Sequence, residues 1–103
     1  TYVDDIVEGI SRMIVCPPDE NEDGDRYKIY NIGNSHPVKL MDFISILEKA
    51  IGTEAKKEFL PMQPGDVYQT YADVSELDFK PKTTLEEGLT RFAAWFKAYY
   101  HLS

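Results

Sequence analysis

A chain of 103 residues with 43% hydrophobic and 13% aromatic residues has the composition of one small globular domain, not of a disordered segment. Its net charge of −7 and its isoelectric point near 4.7 disfavour nucleic acid and anionic membranes as partners, because both select clustered lysine and arginine. The single cysteine excludes an internal disulfide, and no apolar run reaches the roughly 18 residues of a membrane-spanning helix.

Apolar residues at helical spacing open the chain and predict an amphipathic helix over residues 2–15. Thr1 and Asp4 are typical of an N-terminal capping pair, and Pro17-Pro18 would end the helix. Cys16 lies at the apolar end of this helix, where a small buried hydrophobic residue is expected. The apolar stripe consists of Val3, Ile6, Val7, Ile10, Met13 and Ile14.

A polar, acidic loop covers residues 17–26, and its segment 19–24 matches the first half of a calcium-binding loop. The second half fails because Tyr30 stands where a bidentate glutamate is needed, so we predict a solvated turn and no metal site. The β-branched and aromatic run of residues 27–32 predicts a strand. His36 has no second metal ligand at suitable spacing and is expected to make a loop contact.

The middle of the chain predicts a second helix over residues 39–51, followed by Gly52 at a position typical of a left-handed helix end. Residues 57–62 predict a second strand, and residues 74–77 a short helical turn. The buried face of the second helix is expected to contain Leu40, Phe43, Ile44, Leu47 and Ile51.

The stretch between the second strand and the short turn contains a Pro-Gly-Asp sequence. Pro64 fixes its own φ and Gly65 can adopt the positive φ of a type II turn, so Asp66 should leave a tight bend with its carboxylate available as an acceptor. An ionised carboxylate can accept from both hydroxyls of a vicinal diol. The alternative is an aspartate that caps its own turn, which the local pattern alone favours.

The last helix is predicted to begin with the capping box of Thr84 and Glu87 and to extend to about residue 100. Its aromatic stripe is expected to lie in the core rather than to bind a ligand. These elements together predict an α/β fold with three main helices, one short helical turn and two strands. The stripe consists of Leu85, Leu89, Phe92, Ala93, Phe96, Tyr99 and Tyr100.

Several sequence blocks follow one another in a fixed order: Thr1–Ile10, Tyr30–Asn34, Leu60–Val67 with Tyr71–Asp73, Phe79–Thr83 and Trp95–Tyr100. Together they resemble the C-terminal part of the NAD-dependent epimerase/dehydratase family, the extended short-chain dehydrogenases/reductases. The resemblance covers nearly the whole chain and is closest to those members that epimerise C4 of UDP-glucuronate. No single block is decisive, but the ordered set is specific.

The resemblance implies that residues 1–103 are one substrate-binding lobe without a complete Rossmann sheet, and that the dinucleotide-binding domain is absent. The whole enzyme would be cytoplasmic and would invert C4 of a UDP-sugar, with UDP-glucuronate as the expected substrate. Tightly held NAD would take a hydride from C4 and return it to the opposite face. Asp66 would contact the nucleotide ribose. Gln63 occupies the place where many related epimerases carry an arginine toward the phosphates, and it offers hydrogen bonds but no charge.

Two motifs of the family are missing from these residues. The six glycines are scattered, so none forms the Gly-rich phosphate-binding turn, and none of the seven tyrosines has a lysine four residues later. The chain alone is therefore expected to be inactive, with no catalytic residue and no bound NAD. Its apolar faces are expected to lead to self-association, because uncovered apolar patches and unpaired strand edges promote it.

Two other interpretations stay open. The chain could be a standalone interaction module, with Phe92, Trp95, Phe96 and Tyr99 as its binding surface. It could also be the same lobe of a nucleotide-sugar dehydratase or of an epimerase for another sugar. The sequence upstream of Thr1 would separate the enzyme from the module, because only the enzyme needs a Gly-rich turn and a Tyr-x-x-x-Lys motif.

Overall fold

A computed structural model describes all residues from Thr1 to Ser103, and it contains three helices and no strand. Helix α1 covers Val3–Val15, α2 covers Leu40–Ile51 and α3 covers Leu85–Tyr99. The chain is therefore all-α, and the predicted α/β class is wrong. The three predicted helices are confirmed to within two residues at each end.

Both predicted strands are absent. Residues 27–32 and 57–62 form no hydrogen-bonded ladder, although their β-branched and aromatic side chains are typical of strands. Side chains of these types pack well on the pleated, half-buried surface of a sheet. They form a strand only where a neighbouring strand supplies the backbone hydrogen bonds. Pro61 in the second stretch also lacks an N–H to donate to a ladder.

The chain divides into two compact units. The first unit consists of Thr1–His36 and Tyr71–Lys82, and it contains α1. The second unit consists of Pro37–Thr70 and Thr83–Ser103, and it contains α2 and α3, which pack against each other.

The first unit is built around Phe79, whose side chain is only 5% exposed. Gly9 of α1 permits this packing, since a Cβ at that position would lie 3.2 Å from the Phe79 ring and 3.4 Å from the Ile32 side chain. Asp5, also buried on α1, accepts a hydrogen bond from the Lys82 backbone N–H at 3.3 Å. The face of α1 that packs inward is therefore the face with Asp5 and Gly9.

Most of the apolar stripe of α1 is exposed and points away from this core, whereas Ile6 and Met13 are half-buried. Tyr2 occupies the N-cap position without a side-chain capping bond, while Thr1 Oγ1 accepts from the Asn34 N–H at 2.9 Å. The predicted Thr1 and Asp4 capping pair is thus wrong. The exposed apolar side chains of the helix are Val3, Val7, Ile10, Ile14 and Val15.

The second unit has well-defined helix ends. Thr84 Oγ1 accepts from the Glu87 N–H at 3.2 Å, which confirms the predicted helix start. Gly52 ends α2 in the left-handed region with φ of 83°, as predicted. Ala93 of α3 is the most deeply buried apolar residue of the unit, at 2% exposure. None of the helices combines the length and apolar character needed to cross a membrane.

The burial expected for α2 and α3 is only partly observed. On α2, Leu40 is 72% exposed, whereas Ile44, Leu47 and Ile51 are half-buried. On α3, Ala93 is buried and Leu85 is half-buried. The outward aromatic residues of α3 are Phe92, Trp95, Tyr99 and Tyr100.

A short turn in the first unit matches the prediction for residues 74–77. The Leu77 N–H donates to the Val74 carbonyl at 3.2 Å. Asp73 Oδ1 accepts from the Ser75 N–H at 3.0 Å, and hydrogen bonding from Ser75 lowers the pKa of Asp73.

Candidate functional site

The Pro-Gly-Asp segment of the second unit forms the predicted tight turn. The Asp66 N–H donates to the Gln63 carbonyl at 3.1 Å, which closes a four-residue turn. Gly65 has a φ of 92°, the positive value that a type II turn requires at its third position. A substituent on Gly65 would meet no atom within 4 Å, so the glycine is required by backbone conformation and not by crowding.

The Asp66 carboxylate is partly occupied by its own turn. Its Oδ2 accepts from the Gln63 backbone N–H at 3.1 Å, so the expectation of a free acceptor is wrong in that detail. A carboxylate has about four acceptor positions, so Oδ1 and one side of Oδ2 stay available to a ligand. The turn-capping contact orients the carboxylate and leaves room for a second contact.

Gln63 is tied to the same segment by its side chain. Its Nε2 donates to the Pro61 carbonyl at 3.2 Å. Gln63 Oε1 makes no hydrogen bond within the chain and Pro61 uses only one of the two Nε2 hydrogens, so the residue can both accept from and donate to a ligand. The structure therefore brings Gln63 and Asp66, the two predicted substrate-binding residues, into one turn.

A groove of about 490 Å³ adjoins this turn within the second unit. Its first wall is the segment from Pro37 to Leu40 together with Phe43, and its second wall is the segment from Val67 to Thr70. Lys39 is the only charged residue in these walls, and Tyr68 is 95% exposed. The groove was not predicted from the sequence, because nothing local marks residues 37–40 and 67–70 as neighbours.

A salt bridge lies at the other end of α2. Lys57 Nζ is 2.6 Å from Glu48 Oε1, and the same oxygen accepts from the Ala55 N–H at 2.9 Å. The Lys57 hydrogen bond, followed by that of Ala55, lowers the pKa of Glu48. This cluster connects the C-terminal end of α2 to the chain that leads toward the turn, and its charges are mutually compensated.

The acidic loop of the first unit is a local turn. Asn21 Oδ1 accepts from the N–H groups of Asp23 and Asp25 at 3.0 and 2.9 Å. Arg26 lies 3.8 Å from Glu20, so part of the acidic charge is paired. No group of three or more His, Cys, Asp or Glu side chains in the chain has a geometry suited to a metal ion.

Two single residues of the first unit complete the list of sequence candidates. His36 Nδ1 lies 3.0 Å from Asn34 Oδ1, a local contact of the kind predicted for a loop histidine. Cys16 is exposed, so the prediction of a buried small hydrophobic residue is wrong. It stands one position beyond α1, where the chain leaves the helix.

The aromatic side chains of α3 contact one another along the helix. Trp95 and Tyr99 stack with centroids 5.3 Å apart, and Phe92 lies 5.9 Å from Trp95. Phe92, Trp95 and Tyr99 are 44%, 56% and 63% exposed. The expectation that the predicted stripe lies in the core is therefore wrong for Phe92 and Tyr99, and Trp95, which was not part of that stripe, is exposed beside them.

Comparison with known proteins finds relatives that match nearly the whole chain. It is 45% identical to the protein CapI of Staphylococcus aureus over 97% of the chain, and 54% identical over 93% of the chain to an uncharacterized protein of Methanocaldococcus jannaschii. It is 38% identical to a probable UDP-glucuronate 4-epimerase of Rhizobium meliloti over 97% of its length. No family model matches the chain.

These matches confirm the predicted resemblance. The chain is homologous to UDP-glucuronate 4-epimerases, which are members of the NAD-dependent epimerase/dehydratase family. It spans about a third of the length of the CapI and Rhizobium meliloti proteins and 28% of the Methanocaldococcus jannaschii protein. That share is consistent with the predicted match to a C-terminal region.

Proposed function

We propose that this chain is the substrate-binding part of a cytoplasmic nucleotide-sugar 4-epimerase, with UDP-glucuronate as the substrate. The observation that carries the proposal is the turn of Gln63 and Asp66, which presents a carboxylate and an amide together in a chain related to UDP-glucuronate 4-epimerases. The chain supplies binding and orientation, and by itself it is inactive.

Asp66 is proposed to receive the ribose of the nucleotide. Its Oδ2 is held by the Gln63 N–H, so the carboxylate is oriented before a ligand arrives, and Oδ1 can accept from the ribose hydroxyls. Holding a group in its bound orientation lowers the entropic cost of binding. Gln63 is proposed to face the phosphates, to which the second hydrogen of its Nε2 can donate without supplying charge.

NAD, the cofactor that the family uses for hydride transfer, does not fit the residues present. Pyrophosphate binding in that fold needs a glycine-rich turn between a strand and a helix. Gly24, Gly52 and Gly65 have positive φ, but the chain has no strand, and Gly52 follows a helix instead of preceding one. No residue of this chain is therefore assigned to NAD, which would be held by a dinucleotide-binding domain elsewhere in the protein.

The proposal is tested by titration calorimetry of the full-length protein with UDP-glucuronate, together with an assay of C4 epimerisation. Asp66→Ala should weaken binding by roughly 1.5–3 kcal/mol, the scale for hydrogen bonds to a charged group. Asp66→Asn keeps one oxygen for the Gln63 N–H but loses the charge, so it should weaken binding with little effect on the turn.

The matched control is Asp23→Ala, which removes an exposed loop aspartate from the first unit. It should leave substrate affinity at the wild-type value. If both Asp66 variants bind the substrate normally and only Asp66→Ala lowers the melting temperature, Asp66 is a turn-capping residue and the proposed contact is wrong.

A second candidate function is an interaction module that binds through α3. The exposure of Phe92, Trp95 and Tyr99 favours it, because large exposed aromatic surfaces are typical of binding sites. Trp95→Ala separates the two candidates. It should leave UDP-glucuronate affinity unchanged in the epimerase, whereas a module would lose its partner. If the chain is instead the same lobe of a nucleotide-sugar dehydratase, the assay would yield a dehydrated sugar and not the C4 epimer.

A further inference from the structure

The loop that contains the turn of residues 63–66 is attached to α2 on both sides of the turn. After the turn, residues 67–70 form one wall of a groove whose other wall lies at the start of α2. Before the turn, the chain is bonded to Glu48, in the last part of α2. The hydrogen bonds inside the turn join residues 61–66 to one another, so they determine its shape but not its position on the helix. That position depends on the two attachments.

The attachment before the turn is one carboxylate oxygen of Glu48 that accepts two hydrogen bonds. Lys57 Nζ donates to Oε1 at 2.6 Å, and the Ala55 N–H donates to the same atom at 2.9 Å. Lys57 Nζ also lies 3.5 Å from the Ala55 carbonyl, which closes the cluster. The side chains of Glu48 and Lys57 are only 20% and 24% exposed, so water screens this pair less than it screens an ordinary surface salt bridge.

Lys57 is the last residue before the turn that is bonded to α2. Residues 58–62 are all exposed, and none of them is hydrogen-bonded to the helix. Without the two bonds to the Glu48 carboxylate, the nearest attachment would be Gly52, whose N–H donates to the Glu48 carbonyl at 2.8 Å. The unattached stretch before the turn would then double, from residues 58–62 to residues 53–62.

We propose that Glu48 is a positioning residue for substrate binding, because its bonds to Ala55 and Lys57 determine where the Asp66 turn lies on α2. The inference rests on the proposed function, since it takes Asp66 as the residue that contacts the ribose. Glu48 touches no substrate and acts only through the turn. A shorter unattached stretch has fewer conformations, so less entropy is lost when the ligand binds.

The test measures binding of UDP-glucuronate to the full-length protein by titration calorimetry, together with kcat and KM for C4 epimerisation. Glu48→Ala should weaken binding about threefold, because doubling the length of an unattached segment changes loop closure by roughly that factor. KM should rise and kcat should stay at the wild-type value, since the turn binds the substrate and takes no part in bond breaking. A fall in kcat with an unchanged KM would overturn the inference.

Further variants separate positioning from a general loss of stability. In a protein that already has Asp66→Ala, Glu48→Ala should weaken binding by less than it does in the wild type, because the carboxylate through which it acts is gone. Lys57→Arg keeps a cation for Glu48 and should bind as the wild type does. Lys57→Ala leaves only the Ala55 bond and should weaken binding by less than Glu48→Ala.

Glu87→Ala is the matched control, because it removes the ion pair of Glu87 with Arg91 from α3 of the same unit and keeps the backbone N–H that donates to Thr84. It should leave binding at the wild-type value. Equal weakening by Glu48→Ala and Glu87→Ala, or a fully additive loss in the double variant with Asp66→Ala, would show a general effect on stability and overturn the inference. Normal binding by Glu48→Ala, combined with weak binding by both Asp66 variants, would reject the inference and leave the proposed function standing. Normal binding by both Asp66 variants would reject the proposed function itself.

Discussion

The two compact units bury apolar surface in different ways. In the first unit α1 turns Asp5 and Gly9 inward, with Gly9 against the Phe79 ring, and leaves Val7 and Ile14 exposed. In the second unit α2 and α3 cover part of each other's apolar faces, and local capping contacts define the helix ends. One unit thus depends on a single buried aromatic ring, and the other on helix-to-helix packing.

The difference shows that an amphipathic pattern predicts a helix but not which surface covers it. Small residues allow close approach, so Gly9 determines where Phe79 packs even though the apolar stripe lies elsewhere on α1. The exposed stripe is surface that no segment of the first unit covers. Three substitutions, one at a core site in the first unit, one at the Glu48 cluster and one on the exposed stripe, test this contrast in order of decreasing effect.

The largest effect is expected for Phe79→Ala. The ring is 5% exposed and fills the space beside Gly9, so its removal leaves a cavity that should cost about 3 kcal/mol of unfolding free energy. Phe92→Ala is the matched control, because the same ring on α3 is 44% exposed and should cost about 1 kcal/mol. Urea denaturation measures both values. Equal costs would mean that the first unit does not depend on Phe79 as its centre.

Most local features were predictable from the sequence, whereas features that depend on a distant partner, such as the bond from the Asn34 N–H that takes Thr1 away from helix capping, were not. Thr84 and Gly52 were placed correctly, since a cap involves only neighbouring residues. The turn at Gly65 was predicted for the same reason, and the bond from the Gln63 N–H to Asp66 Oδ2 matches the alternative prediction of an aspartate that caps its own turn. The strands failed because pairing requires a second segment that no local pattern identifies.

The same distinction applies to the candidate site. Gln63 and Asp66 are three residues apart, so their shared turn could be predicted. Lys39 lies far along the chain from Val67, and its place on the opposite wall of the groove depends on how the second unit folds.

A smaller, pH-dependent effect is expected at Glu48. Lys57 and the Ala55 N–H hold the pKa of Glu48 below its ordinary value of 4.5 in the folded chain. A carboxylate with a lowered folded pKa adds stability above its unfolded pKa, and that stability is lost as pH falls through the folded pKa. Glu48→Gln should therefore reduce stability at pH 7 and flatten the decline below about pH 4.5.

Urea denaturation at a series of pH values between about 3 and 7 covers this titration range. Glu58→Gln is the control, since Glu58 belongs to the same unit and forms no ion pair with a lysine or arginine. It should keep the wild-type dependence on pH. An unchanged profile in Glu48→Gln would show that the bonds from Lys57 and Ala55 do not survive in solution.

The smallest effect is expected for Ile14→Gln on the exposed stripe of α1. Ile14 is 76% exposed, so the unfolding free energy should change by no more than about 0.5 kcal/mol. The same substitution at Ile44, half-buried on α2, should cost clearly more unfolding free energy because it brings an amide into an apolar contact.

The sequence also predicts self-association through uncovered apolar faces, and sedimentation across a concentration series would show whether Ile14→Gln weakens it. A large loss of stability at Ile14 would mean that the stripe is covered in the folded protein. In that case the helices of both units would be covered, and the two units would differ only in which surface covers each helix.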